Sequence, residues 1–257
     1  MLHPYEKKLY EISDSNHDIL VLTAETRFNM RNLPELMGNR FIDFGIAEQT
    51  MVGAGAGLSK RGKLPVMHAL AAFLTMRPFE FIRTDFGIAN LPGVFMGSFN
   101  GFISTANGPT HQAIDDISLM GIIPNMKVFS SSSMNETEFF LDNFNRIDSP
   151  CYIRYNNSMW DVELERDFEY GKIEKIFDGD ELIVISHSNC LEHCFLAVSS
   201  LIKNHKKSIS LINCPFIKPL GENILSEINK FNIAVIVEDH FSYGSLHHRI
   251  RDIVYEN

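Results

Sequence analysis

Short apolar runs alternate with longer amphipathic stretches through the first 155 residues of the chain. The runs are rich in β-branched and aromatic residues, which is typical of strands. Parallel strands need long crossovers, so this alternation predicts a parallel sheet covered by helices. The six strand candidates are Asp18–Thr23, Arg40–Phe44, Leu64–Leu70, Gly93–Phe99, Met126–Ser131 and Cys151–Tyr155.

Between Asn156 and Lys172 the sequence becomes polar and charged, and this segment holds the only tryptophan, Trp160. We interpret it as a linker, because a second series of apolar runs follows. Its three strand candidates are Glu181–Ser186, Ser208–Asn213 and Ile233–Glu238, with helix candidates at Leu191–Lys203, Gly221–Lys230 and Ser245–Val254. The predicted fold class is therefore α/β, with two doubly wound domains whose mainly parallel sheets are buried on both faces.

The composition of the chain argues against several classes of function. The chain has 257 residues, 45% of them hydrophobic, which suffices for two domains. Its net charge of −9 argues against binding to nucleic acid or to an anionic membrane surface. No apolar run approaches the roughly 20 residues of a membrane span, and the N-terminal residues lack an apolar signal core, so we expect a cytoplasmic protein. The four cysteines form no C-x-x-C pair and are expected to be buried, reduced thiols.

The most informative segment runs from Arg40 to Leu58 and places the carboxylate of Glu48 between a strand and a helix. In α/β sheets, ligand sites form at the carboxyl ends of the strands, where such a residue lies. Taken alone, Glu48 could simply be an acid stabilised by the helix dipole. The glycines at 53, 55 and 57 lie inside the helix and lack the dinucleotide-binding spacing, so they indicate close packing instead.

The phrase Phe-Gly-Ile-Ala-Glu-Gln at residues 44–49 resembles the catalytic-glutamate segment of transketolase, of 1-deoxyxylulose-5-phosphate synthase and of the β subunits of 2-oxoacid dehydrogenases. The resemblance implies thiamine diphosphate as the cofactor. It also implies that Glu48 bonds N1′ of the aminopyrimidine and so promotes formation of the thiazolium ylide, with Glu48 as a catalytic residue.

Two further segments resemble the same family in the same order. Residues 63–83 resemble the strand and helix that hold the pyrimidine ring, which implies that Phe73 stacks on the ring, with Met76 and Ile46 as neighbouring cofactor contacts. Residues 107–126 resemble the family's Gly-x-Thr-His loop. This implies that His111 is a second catalytic residue, which hydrogen-bonds substrate oxygens and moves protons.

Four residues bear on the substrate. Asn107 stands where transketolase has an aspartate that contacts the acceptor, and Phe99 and Asn157 stand where the family has cationic phosphate partners. The lost cations imply a substrate other than an ordinary sugar phosphate. Arg27, on the loop after the first strand, is a candidate replacement anion contact.

The family's diphosphate and Mg²⁺ motif, Gly-Asp-Gly followed by Asn, is absent from the sequence. Asp178-Gly-Asp180 has the inverted order and precedes a strand, so it is better interpreted as a turn. We therefore expect no metal site on this chain. The resemblance implies an N-terminal transketolase subunit as partner, which binds Mg²⁺ and shares the cofactor, in an α2β2 heterotetramer.

The resemblance divides the chain into a pyrimidine-binding domain at 1–160, a linker at 161–172 and a transketolase C-terminal-like domain at 173–257, which is shorter than usual. The leading hypothesis is a subunit that transfers a two-carbon ketol unit on a modified or non-phosphorylated sugar. The alternatives are a β subunit of a 2-oxoacid dehydrogenase, a non-catalytic scaffold and, less favoured, a deoxyxylulose-phosphate synthase, which is one long chain.

Overall fold

Two sheets, with eleven strands among the described residues, form the frame of the protein. The computed structural model describes residues 2–27, 29–156 and 168–256. Its strands are β1 (Ile19–Thr23), β2 (Phe41–Asp43), β3 (Leu64–Leu70), β4 (Gly93–Ser98), β5 (Lys127–Ser130), β6 (Pro150–Arg154), β7 (Glu174–Phe177), β8 (Leu182–Ser186), β9 (Ile209–Asn213), β10 (Phe216–Lys218) and β11 (Ala234–Val237).

The first sheet has the order β10-β5-β6-β4-β3-β1-β2 and the second has the order β11-β8-β9-β7. Neighbouring strands run parallel except in the pairs β10 with β5 and β7 with β9. This confirms the predicted α/β class with two mainly parallel sheets. The sequence analysis did not predict β7 or β10. In addition, β10 comes from the C-terminal half of the chain, yet it pairs with the first sheet.

Helices cover the sheets and supply the connections between parallel strands. They are α1 (Pro4–Ser15), α2 (Leu33–Met37), α3 (Glu48–Lys60), α4 (Ala71–Met76), α5 (Phe79–Phe81), α6 (Asp116–Gly121), α7 (Met134–Asp142), α8 (Cys190–His205), α9 (Ile224–Ile228) and α10 (Leu246–Glu256). A π-helix follows α5 at Ile82–Ile88, and short 3-10 turns lie at Gly38–Arg40, Thr105–Asn107 and Phe144–Arg146. The helices predicted in the second half are present, although α9 is shorter than the predicted Gly221–Lys230.

Helix α3 packs closely on the first sheet. A Cβ atom added to Gly55 would lie 2.7 Å from Sδ of Met67 on β3, so only glycine fits there without displacing the methionine. The same atom added to Gly53 or Gly57 would meet nothing within 4 Å. The prediction of close packing therefore holds for one of the three glycines.

The strands at the centre of both sheets are buried on both faces, but β11 departs from the prediction. It forms the edge of the second sheet, and Val235 remains 41% exposed. An edge strand has a neighbour on one side only, so less apolar surface is covered there.

The four cysteines carry free thiols, and all are buried except the half-buried Cys190. Burial raises the pKa of Cys151 to about 12, which leaves an unreactive thiol. Among the described helices none combines the length and the apolar composition that crossing a membrane requires.

Arg154 links the two halves of the chain inside the core. Its side chain is fully buried and donates to Asp116 at 2.8 Å, to Asp239 at 3.0 Å and to the carbonyl of Ala113 at 3.2 Å. Tyr152 donates a further hydrogen bond to Asp116 at 2.6 Å. Asp239 follows β11 of the second sheet, so this charged network crosses between the sheets.

His68 on β3 makes the stability of the fold depend on pH. Its side chain is buried, its Nε2 lies 2.5 Å from the hydroxyl of Tyr5, and burial lowers its pKa from 6.5 to about 4. The folded state therefore binds a proton less readily than the unfolded state does. We expect the free energy of unfolding to fall by about 2 kcal/mol between pH 7 and pH 5.

Urea denaturation at the two pH values measures this loss. The His68→Gln variant should lose the corresponding part of the pH dependence, whereas His17→Gln, at an exposed position, should retain it. Equal pH dependence in the wild type and in His68→Gln would contradict the assignment.

Candidate active site

A cavity of about 490 Å³ opens at the carboxyl end of the first sheet. Loops that follow β1 and β2 meet there with the end of β3 and the start of α4, as parallel α/β sheets commonly arrange at ligand sites. The residues lining it are Ala24, Glu25, Thr26, Ile46, Glu48, Leu70, Phe73, Arg77 and His111. The structure therefore brings four predicted site residues, from three separate segments of sequence, into one cavity.

Glu48 is the first residue of α3, and only 5% of it is exposed. The helix begins here because the backbone of Ala47 is non-helical, and the helix dipole favours a negative charge at this end. Oε1 of Glu48 accepts from Nη1 of Arg77 at 2.6 Å. A nearly buried carboxylate needs such a partner, because an unpaired charge is costly to bury.

Asp43 fixes the loop that carries Ile46 and Glu48. Its carboxylate accepts from the backbone amides of Gly45 at 2.9 Å and Glu25 at 3.1 Å, and from Nε of Arg27 at 2.8 Å. Partial burial acts to raise the pKa of Asp43, but these donors outweigh it and the pKa is lowered. Asp43 is a positioning residue that the sequence analysis did not identify.

Arg27 is accordingly not an isolated cation. Its Nη2 lies 2.6 Å from Oδ2 of Asp43, and its side chain is half exposed beside the loop. Its role as an anion contact stays a prediction, for a cation that already has a carboxylate partner.

Phe73 lies in α4 and contacts two planar groups. The guanidinium carbon of Arg77 lies 3.7 Å from the centroid of its ring. The ring of His111 meets it edge-on, with centroids 4.9 Å apart and an interplanar angle of 66°. Nδ1 of His111 lies 2.9 Å from the hydroxyl of Thr110, which orients the imidazole.

Three further predicted residues, which the structure describes, do not line the cavity. Met76 points outward and is 47% exposed, because α4 ends there. Asn107 is exposed on its 3-10 turn and donates to the hydroxyl of Ser104 at 3.0 Å. Phe99 is half-buried with a φ of 56°. Asn157 lies outside the residues that the structure describes.

The family motifs give Arg77 no role, whereas the structure places it at the centre of the site. Arg77 contacts both Glu48 and Phe73, and the amide of Gln49 donates to its backbone carbonyl at 3.1 Å. The sequence does contain one indication of the contact with Phe73, because residues i and i+4 on a helix face one another. Phe73 and Arg77 have this spacing, and an arginine often covers an aromatic ring.

The group that lies against Phe73 and Glu48 indicates whether the site fits the aminopyrimidine of the expected cofactor. A planar, delocalised cation already lies over Phe73 while it donates to Glu48. An aminopyrimidine ring is also planar and carries ring-nitrogen and amino groups that pair with a carboxylate. The residues present therefore fit the aminopyrimidine of thiamine.

A second polar cluster resembles a hydrolytic triad. The hydroxyl of Ser130 lies 2.9 Å from Nδ1 of His187, whose Nε2 lies 3.4 Å from Glu238. Ser130 and His187 are fully buried, so no substrate can reach the hydroxyl. Burial acts to raise the pKa of Glu238, but His187 and the amide of His247 lower it to about 2. The cluster is a structural hydrogen-bonded network.

Within the described ranges, no group of three or more His, Cys, Asp and Glu is placed to hold a metal ion.

Comparison with known proteins agrees with this geometry. The family model for the transketolase pyrimidine-binding domain matches residues 5–161, and that for the transketolase C-terminal domain matches residues 171–257. A transketolase C-terminal section from Methanocaldococcus jannaschii is 27% identical over 263 residues, covering 98% of this chain and 81% of the relative.

A 1-deoxy-D-xylulose-5-phosphate synthase from Clostridium perfringens is 27% identical over 246 residues, which are 93% of this chain but 39% of the relative. The chain thus spans about two fifths of that protein's length. A solved split-gene transketolase, described as an inactive beta4 tetramer, superposes with a TM-score of 0.87 at 26% identity, covering 99% of this chain and 84% of the other. The chain therefore belongs to the transketolase family, of which it carries the pyrimidine-binding and C-terminal domains.

Proposed function

We propose that this chain is the pyrimidine-binding subunit of a split transketolase, which transfers a two-carbon ketol unit with thiamine diphosphate. The observation that carries the proposal is the convergence of Glu48, Phe73 and His111 on one cavity at the carboxyl end of the first sheet. Each of them stands in a segment that resembles the corresponding family motif. A scaffold that had lost catalysis would have no need to keep all three side chains together.

Each residue has a distinct task. The carboxylate of Glu48 would pair with the pyrimidine ring nitrogen of the cofactor and favour a proton there. Phe73 would supply an apolar face that fixes the ring with little loss of entropy. Thiamine diphosphate, when bound, would supply a carbon nucleophile for the ketose carbonyl. His111 borders the same space and can donate to substrate oxygens or accept a proton from them.

A partner chain completes the site in this proposal. The diphosphate and Mg²⁺ motif of the family is missing from the sequence, and the solved split-gene relative is described as inactive when assembled from beta subunits alone. We infer a partner that binds the diphosphate and Mg²⁺, in an α2β2 heterotetramer in which both chains contact the cofactor.

The substrate is inferred to be a modified or non-phosphorylated sugar. Arg27, the cation on the loop after β1, already pairs with Asp43. Phe99 and Asn157 stand at sequence positions where the family has cationic phosphate partners, and an uncharged residue loses the charge-assisted bond to phosphate. Asn107 keeps a hydrogen-bonding amide but lacks the charge of the family's aspartate.

Reconstitution tests the proposal directly. The chain is mixed with a partner that carries the Gly-Asp-Gly and Asn motif, thiamine diphosphate and Mg²⁺, and ketose donors are screened against phosphorylated, unphosphorylated and modified aldehydes. We expect transfer of a two-carbon unit, fastest with acceptors that lack phosphate. Comparable rates with xylulose 5-phosphate and ribose 5-phosphate would overturn the substrate inference.

A second candidate is a synthase reaction that forms a 1-deoxyketose phosphate. Relatives that carry the name 1-deoxy-D-xylulose-5-phosphate synthase favour it. A 1-deoxy product needs a two-carbon unit at the level of an acetyl group, which decarboxylation of a 2-oxoacid such as pyruvate supplies. Release of CO₂ from pyruvate without any ketol transfer would select this candidate, or the related 2-oxoacid dehydrogenase chemistry.

A further inference from the structure

We propose that the side chain of Arg77 occupies the aminopyrimidine position in the cofactor-free subunit and must leave before thiamine diphosphate can bind. The inference rests on the proposed function, because it identifies the Glu48 and Phe73 site as the pyrimidine site. It adds to that function a residue of this chain that competes with the cofactor.

The side chain of Arg77 lies at both positions where the aminopyrimidine ring would contact the protein. Nη1 of Arg77 donates to Oε1 of Glu48 at 2.6 Å, and its guanidinium carbon lies 3.7 Å from the centroid of Phe73. A ring stacked on Phe73 at van der Waals distance while bonded to Glu48 needs the same volume.

A guanidinium is chemically suited to this substitution. It is flat, its charge is delocalised over several N–H donors, and it stacks on aromatic faces while pairing with carboxylates. The aminopyrimidine offers the same combination of a flat face and donors toward a carboxylate. In the absence of the cofactor, Arg77 also balances the charge of Glu48, which would otherwise stand unpaired at 5% exposure.

The side chain has a route out. Arg77 follows the last residue of α4, its side chain is 41% exposed, and its backbone carbonyl stays bonded to Gln49. Rotation about the side-chain dihedrals of Arg77 alone therefore clears the space that the aminopyrimidine ring would occupy. A second cavity of about 550 Å³ adjoins Arg77 and is lined by Ile46, Ala47, Glu48, Gln49, Thr50 and Arg77 itself, so the freed guanidinium has space in which to turn.

Binding of free thiamine to the intact chain tests the inference without activity. Thiamine carries the aminopyrimidine but lacks the diphosphate that the partner would hold, and its binding is measured by ligand-observed NMR titration. A competing conformation reduces apparent affinity by the fraction of competent protein, so we expect Arg77→Ala to bind thiamine on the order of tenfold more tightly than wild type. Arg83→Ala removes an exposed arginine six residues later and should leave the affinity unchanged.

Two further variants guard against a folding defect in Arg77→Ala. Arg77→Met keeps the aliphatic stem and should also bind more tightly, whereas Arg77→Lys keeps the charge without the flat face and should lie between wild type and Arg77→Met. Equal or weaker thiamine binding in folded Arg77→Met would overturn the inference. So would absence of thiamine binding in every variant. The proposed function would survive either result if the reconstituted enzyme turned over, so the two failures are distinguishable.

Discussion

Replacing Glu48 with Gln is expected to lower turnover of the reconstituted enzyme by at least about a hundredfold, the lower range for loss of general acid–base catalysis. Glutamine keeps the size of the side chain and one acceptor oxygen, but it has no negative charge with which to favour a proton on the pyrimidine ring. Only 5% of Glu48 is exposed, so water cannot take the place of the negative charge that the substitution removes. Initial rates of ketol transfer at saturating cofactor measure the effect.

Assembly should survive the Glu48→Gln change, because the substitution keeps the shape of the side chain. Native mass spectrometry of the complex with the partner chain checks this. Glu80→Gln is the matched control, since Glu80 is an exposed glutamate of α5 outside the described cavity wall. Turnover close to that of the wild type in Glu48→Gln would remove Glu48 from the mechanism.

Replacing Arg154 with Met should destabilise the fold by about 3 to 5 kcal/mol, the cost of breaking a buried ion pair from one side. Arg154 is fully buried and pairs with Asp116 and Asp239, so its loss leaves two carboxylates without their cation. Burial acts to raise the pKa of Asp239, yet Arg154 holds it below its ordinary value. Denaturant unfolding at neutral pH measures the change in free energy.

The control for Arg154→Met is Arg251→Met, which removes an exposed arginine paired with Asp252 at 2.9 Å and should change stability by less than about 1 kcal/mol. Adding Asp116→Asn and Asp239→Asn to Arg154→Met should recover part of the lost stability, because the carboxylates no longer stand unpaired. A loss below about 1 kcal/mol in Arg154→Met alone would show that water or rearrangement compensates for the cation.

The predicted strands show what local sequence can reveal. The runs that became β3 and β9 are mainly apolar on both faces, and strands covered by helices on both faces need that pattern whatever their neighbours are. Strand β10 could not be found this way, because Phe216–Lys218 is short and bordered by Pro215 and Pro219. It is a strand because β5 offers it a partner at the edge of the first sheet.

Some residues of the candidate site could likewise be predicted from local sequence, and others could not. Glu48, Phe73 and His111 were predicted from their motifs, and the cavity contains all three. Arg77 received no role from the motifs, because its contact depends on a carboxylate 29 positions earlier in the chain. Arg27 is predicted as an anion contact, and its pairing with Asp43 exists only when the loops after β1 and β2 meet.

Local sequence was enough to predict the α/β class, nine of the eleven described strands and the family motifs around Glu48, Phe73 and His111, since these depend on local hydrophobic periodicity and on short residue patterns. The pairing of charges, as in Arg77 with Glu48 and Arg154 with Asp116 and Asp239, emerges only in the folded molecule. The tertiary structure also decided that β10 crosses to the first sheet. The physical reason is that ion pairing and strand pairing depend on distances in space, which residues far apart along the chain acquire only when the sheets assemble.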